Sequence, residues 1–319
     1  MTDLEQAAKL VHEVLAPTPQ FAWPKLRLRA GCTVWVKHEN HTPTGAFKVR
    51  GGLVYLDRLR RSAPGTPGVI SATRGNHGQS IAFAAARCGM AATIYVPRNN
   101  SQDQNSAIAA FGARVVEFGQ DFDEAKHEAF RVAAAEGLHF VPSFHPDLVL
   151  GVATYALELL RAVRDLDAVY VGVGMGSGIT GLITVRDLLG LNTEIIGVGA
   201  AQAPATALSF AARRPIHAPT SRTFADGLAT REPNAEAIAA ICRGASRMVE
   251  VSEDAIAEAM RIYFDDTHQV AEGAGAAPLA ALLQERERMA NKNVAVILSG
   301  GNIERARYRQ VLSGVTPPA

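Results

Sequence analysis

The chain has 319 residues, 48% of them hydrophobic and 20% charged, the balance of a globular protein with two domains or one large α/β unit. Its 32 Lys and Arg against 31 Asp and Glu leave a net charge of +1, and aromatics make up 6%, so neither nucleic acid nor an anionic membrane is an expected partner. Cys32, Cys88 and Cys242 are too scattered for a disulfide framework or a zinc knuckle, as suits a reducing cytoplasm, and no apolar run is long enough to cross a bilayer.

The N-terminal stretch MTDLEQAAKLVHEVL is charged and amphipathic, unlike a signal peptide. Strands and helices then alternate. Residues 33–39 read as a strand, 45–61 as a helix and 68–72 as a short apolar strand, followed by a helix from about Asn76 to Cys88. Strands are predicted at 92–97, 113–118 and 139–142, with helices at 102–111 and 121–137 between them. Helix 147–163, strand 167–174, helix 178–190 and strand 194–200 follow. Strand 246–251, helices 252–266 and 274–290, and strand 294–300 complete the pattern, while 213–235 is the longest stretch without periodicity. Unbroken apolar strands alternating with amphipathic helices imply an α/β fold with parallel sheets covered on both faces. Chemistry is expected in the loops at the carboxyl ends of those strands.

Four such stretches stand out. GVGMGSGITG (172–181) joins a strand to a helix. Its alternating glycines let backbone N–H groups approach an anion at a helix start, so it reads as a phosphate cradle, or else as a tightly packed turn. It also contains G-x-G-x-x-G, but the next strand ends VGAAQ without the acid that a dinucleotide ribose needs. A nicotinamide oxidoreductase therefore stands only as the alternative from another class. SATRGNHGQS (71–80) is a second strand-to-helix junction, either a carboxylate site on the N–H groups of Gly75, Asn76 and His77 or a plain cap by Thr73 or Asn76. Lys48 lies among Gly45, Ala46 and Phe47; it is either a solvated helix lysine or a nucleophile for a carbonyl. The preceding HENH has its histidines at the wrong spacing for H-E-x-x-H, so zinc is not expected. Ser299, in LSGGN (298–302), either donates to a ligand or only shapes a turn.

PTGAFKVRGG, RGNHGQS, the glycine loop, TFADGLA (223–229) and SGGN, in that order, resemble the fold-type II pyridoxal-phosphate enzymes of the threonine dehydratase and serine racemase group. The resemblance runs from about Pro17 to Asn302. It implies a tryptophan-synthase-β-like fold: a large cofactor-binding domain (1–67 and 146–319) and a small mobile domain (68–145) that carries the substrate-carboxylate loop. Lys48 would hold the cofactor aldehyde and later act as base. Phe47 would cover the ring, Asn76 would bond its hydroxyl and Ser299 would meet its pyridine nitrogen. Gly174, Met175, Gly176, Ser177 and Gly178 would wrap the phosphate. Gly227 and Glu272 would border the pocket. Thr73, Arg74, Gly75, Asn76 and His77 would receive an amino-acid substrate. The implied reaction is elimination of water from a β-hydroxy amino acid such as L-threonine or L-serine, giving a 2-oxo acid and ammonia, by a homodimer or homotetramer.

Three departures from the family pattern shape the expectation. Racemases of the group carry a serine where this chain has Arg74, which is a poor proton shuttle, so racemisation is disfavoured. An arginine there also suits a second carboxylate, which raises 3-hydroxyaspartate as an alternative substrate, against the plain reading of a surface ion pair. The stretch GAAQAPA (199–205) lacks the acids with which some relatives bind a divalent cation, so no metal is expected. The chain ends soon after SGGN, so feedback control through a C-terminal regulatory domain is not expected either.

Overall fold

A computed structural model describes residues 1–319. In chain order the first elements are α1 (Thr2–His12), β1 (Gln20–Ala22), α2 (Pro24–Ala30), β2 (Thr33–His38) and α3 (Lys48–Ser62). Next come β3 (Gly68–Ala72), α4 (Asn76–Arg87), β4 (Ala91–Val96), α5 (Gln102–Ala110), β5 (Arg114–Glu117), α6 (Phe122–Glu136) and β6 (His139–Phe140). The second half holds α7 (Pro146–Ala162), β7 (Ala168–Gly172), α8 (Ser177–Leu188), β8 (Glu194–Ala200), α9 (Ala205–Ala212) and α10 (Ala235–Gly244). It closes with β9 (Arg247–Val251), α11 (Glu253–Thr267), α12 (Gly273–Gln284), β10 (Asn293–Leu298) and α13 (Arg305–Leu312).

The strands form two sheets, ordered β1-β2-β10-β7-β8-β9 and β5-β4-β3-β6. Only β1 against β2 is antiparallel; every other pairing is parallel. The strands in the middle of these sheets are buried on both faces, as their unbroken apolar runs require.

The chain forms two compact units. One comprises residues 1–16 and 42–154, the other 17–41 and 155–319. These boundaries differ from the 68–145 division expected from sequence, because α1, α3 and the start of α7 pack with the four-stranded sheet. Val11, Leu53, Leu56, Val69 and Ile81 share one core. A Cβ on Gly52 would lie 2.8 Å from the Ser80 carbonyl oxygen, and one on Gly51 would lie 2.8 Å from that of Leu148. Both glycines thus let α3 approach its neighbours at backbone distance. In the second unit, Val34, Val36, Tyr170, Ile196, Val198, Val294 and Val296 pack against Ala276, Leu279 and Leu282 of α12. Beside that core lies an ion pair. Lys37 is 0% exposed, and its Nζ sits 2.6 Å from Glu158 Oε2 while also donating to the Thr18 carbonyl at 2.7 Å.

Candidate active site

In the unit built on the four-stranded sheet, Lys48 is the first residue of α3. The approach to it is a tight turn. Gly45 takes φ +66°, and the Thr42 hydroxyl both accepts from the Ala46 N–H and donates to the Ala46 carbonyl, each at 3.0 Å. Small side chains are needed because Ala46 is fully buried. The Ser80 hydroxyl donates to the Lys48 carbonyl at 2.7 Å, which ties the first turn of α3 to α4. Lys48 is half-buried, and its Nζ stands 5.0 Å from the centre of the Phe47 ring, within cation–π range.

The start of α4 follows β3 directly. Neither cap considered from sequence forms, since no side chain caps the helix. Thr73 Oγ1 instead accepts from the Gly75 N–H at 3.0 Å, and Asn76 is already helical. A Cβ on Gly75 would meet Gln104 Oε1 at 2.9 Å, so a side chain there would crowd the junction. Arg74 is exposed; Thr73 and His77 are buried.

Burial pushes the His77 imidazole down from 6.5 to about 3, and the Lys48 charge adds to that push, while a hydrogen bond to the Val141 backbone opposes it. Its buried Nε2 has no hydrogen-bond partner. His77 is therefore neutral at working pH and cannot neutralise a carboxylate by charge. The unfolded chain takes up a proton there near pH 6.5 and the folded chain does not, so folding stability is lost as the pH falls from 6.5 toward about 3. His77→Asn is expected to lose less stability than the wild type between about pH 7 and about pH 5, read by urea denaturation at each pH.

The second unit gathers the remaining candidates at the carboxyl edge of its sheet. β10 and β7 are parallel neighbours, so their carboxyl ends lie side by side, which is where ligands bind in such folds. After β7, Gly176 takes φ +96° and precedes α8, whose start no side chain caps. A Cβ on Gly176 would lie 2.7 Å from that of Ala237, and one on Gly174 would collide with the Gly227 carbonyl oxygen. Close approach thus requires glycine at both positions, and the helix-start N–H groups of Ser177 and Gly178 suit an anion. Met175 is half-buried and Ser177 buried, and the Tyr155 hydroxyl holds the Gly178 carbonyl at 3.1 Å. Gly227 is itself packed against Ala274, where a Cβ would come within 2.7 Å. Glu272 precedes α12 and donates its N–H to the Gly300 carbonyl at 3.1 Å. Ser299, 8% exposed, directly follows β10 and precedes Gly300, the partner of Glu272.

The structure thus brings Phe47, Lys48 and residues 73–77 together in one unit, and Gly174–Gly178, Gly227, Glu272 and Ser299 together in the other. Sequence reasoning missed Thr42 and Ser80, which fix the backbone around Lys48. Thr42 had a local signal, a hydroxyl residue opening a turn. Ser80 had none, because its partner lies 32 positions away.

The model of a family described as pyridoxal-phosphate dependent enzyme matches residues 11–300. An L-threonine ammonia-lyase of Geobacter sulfurreducens is 35% identical, over 86% of this chain and 69% of that protein. The L-threo-3-hydroxyaspartate ammonia-lyase of Saccharomyces cerevisiae is 29% identical, over 98% of this chain and 96% of its own. The chain spans 59–63% of the length of the bacterial biosynthetic threonine dehydratases it matches. The processed form of threonine deaminase isoform 2 from Solanum lycopersicum has a TM-score of 0.91 at 30% identity, covering 98% of this chain and 93% of that one. The fold is the tryptophan-synthase-β-like α/β architecture, and no helix is long and apolar enough to cross a membrane. With this fold, and with the family match running from α1 to the end of β10, the chain belongs to the pyridoxal-phosphate dependent enzymes.

Proposed function

We propose that the protein eliminates water from a β-hydroxy amino acid such as L-threonine or L-serine, releasing a 2-oxo acid and ammonia. The observation that carries the reading is Lys48, a half-buried amine at the end of a turn built from small residues, with Phe47 beneath it. The residues fit pyridoxal phosphate. Gly174, Met175, Gly176, Ser177 and Gly178 would hold its phosphate where a Cβ would otherwise fill the cradle. Lys48 would hold its aldehyde, Asn76 its hydroxyl and Ser299 its ring nitrogen, with Phe47 over the ring and Gly227 and Glu272 at the border. When bound, the cofactor supplies the electron sink for the bond-breaking step.

The chain's own residues do the rest. Thr73, with the backbone N–H groups of Asn76 and His77, holds the substrate carboxylate, and Gly75 leaves room for it at the junction. Lys48 Nζ takes the proton from Cα as a general base. The Cβ–O bond then breaks, and the hydroxyl departs as water with one proton, balanced by the proton that Lys48 Nζ has taken from Cα. The enamine released into solution tautomerises and hydrolyses to the 2-oxo acid and ammonia. A serine hydroxyl at the ring nitrogen would leave that nitrogen unprotonated, which favours elimination over chemistry that needs a longer-lived carbanion.

Arg74 favours a second reading for substrate choice. It is an exposed cation next to the carboxylate loop, and a relative of nearly equal length is named for L-threo-3-hydroxyaspartate. The nicotinamide alternative has no support: Ala201, Gln202, Ala203 and Pro204 follow β8, with no acid among them, and the family is a different one. The proposal includes a homodimer or homotetramer in the cytoplasm, for which the three free cysteines are suited.

Incubation of the purified, cofactor-loaded protein with L-threonine, L-serine and the 3-hydroxyaspartate isomers tests both readings. Equal amounts of ammonia and of 2-oxobutyrate or pyruvate are expected. No product from any of the substrates would overturn the proposal. If Arg74 selects a dicarboxylate, oxaloacetate forms, and Arg74→Ala lowers kcat/KM for hydroxyaspartate by about 10–100-fold while sparing L-serine.

A further inference from the structure

Glu253 is the first residue of α11, where an acid would ordinarily face solvent and favour the helix dipole. Here its side chain turns inward, and the residue is 8% exposed. The helix does not need it for a cap, because Ser252 Oγ accepts from the Ala255 N–H at 3.2 Å. One carboxylate oxygen, Oε2, accepts from both the Thr223 hydroxyl and the Phe224 N–H at 3.0 Å each. Thr223 Oγ1 in turn accepts from the Ala225 N–H at 3.0 Å. On the far side of the loop, Arg307 donates to the Phe224 carbonyl at 3.3 Å and to Asp226 at 3.2 Å. The other oxygen, Oε1, is buried without a hydrogen-bond partner. A buried carboxylate satisfied on one side only is costly, and its placement calls for a role.

The clamped residues lead into Gly227, whose carbonyl oxygen lies against Gly174. We propose that Glu253 is a positioning residue for the phosphate cradle: it holds loop 223–227 so that Gly227 keeps the 174–178 loop in the shape that receives the phosphate. The inference rests on assigning the phosphate to residues 174–178. Glu253 touches no reacting atom and acts through the loop. Both of its hydrogen bonds are accepted ones, so an amide oxygen can replace the carboxylate.

The test uses the full chain freed of cofactor and measures binding of pyridoxal 5′-phosphate and of pyridoxal by equilibrium dialysis. Glu253→Ala is expected to weaken pyridoxal 5′-phosphate binding by about tenfold or more while leaving pyridoxal binding within about twofold. Glu253→Gln is expected to retain the wild-type preference for the phosphate. Thr223→Val, which removes the hydroxyl that bridges Glu253 to Ala225, is expected to act like Glu253→Ala and serves if that variant fails to fold. Equal weakening of both ligands, or no change, in Glu253→Ala or its substitute would overturn the proposal. Gly176→Val, which fills the cradle directly, separates the two assignments. If it abolishes the phosphate preference and the Glu253 and Thr223 variants do not, the positioning role fails alone. If it leaves the preference intact, the cradle assignment fails.

Discussion

Replacing Lys48 with alanine is expected to lower the rate of 2-oxo acid formation by about 10⁴-fold, the upper range for loss of a general base, with further loss because the same amine holds the cofactor. The substitution should leave the fold intact. Lys48 is half-buried, and the contact that ties its turn to α4 is made by its backbone carbonyl, which alanine keeps. Thermal unfolding of the cofactor-free variant within a few degrees of the wild type, together with lost turnover, is the expected pair of results. A solvated helix lysine would give neither the rate loss nor any change in cofactor absorbance.

The largest effect expected on stability lies away from the chemistry. Lys37→Ala is expected to destabilise the protein by about 3–5 kcal/mol, because it breaks a buried ion pair by removing one of its members. The Glu158 side chain is 7% exposed and that of Lys37 0%, so water cannot take the cation's place without opening the core. Lys37 also donates to the Thr18 carbonyl and to Gln20 Oε1 at 3.2 Å, which secures the entry to β1. Urea denaturation at neutral pH measures the change. A double variant, Lys37→Met with Glu158→Leu, should recover much of it, since an apolar pair of similar size removes both buried charges.

The strands β3, β7, β8 and β10 were legible in the sequence because each is a short unbroken apolar run between turn residues. Elements without such a pattern were not. β1 is a three-residue antiparallel edge. α2 carries the expected signals, Pro24 at its start and Gly31 at φ +68° past its end, but spans only seven residues. α9 is apolar nearly all round, so no periodicity marks it. The predicted start of α3 fell at residue 45; the helix begins at Lys48 because Thr42 and Gly45 bend the chain first. The glycine loop and the lysine turn were legible as chemistry, since backbone approach to an anion and room around an amine need small residues. The supports of those stretches, Ser80 for Lys48 and Glu253 for Gly227, are contacts between distant positions and leave no local trace. The unit boundaries were hidden for the same reason, because the packing of Gly51 and Gly52 is tertiary.

Borohydride reduction of the cofactor-loaded protein, followed by peptide mapping by mass spectrometry, identifies the lysine that holds the cofactor. The chain has six lysines, so five serve as internal controls. The reduced cofactor is expected on the peptide containing Lys48 and on no other. Label on another lysine, or none at all in a protein that still binds the cofactor and turns over L-threonine, would contradict that role for Lys48.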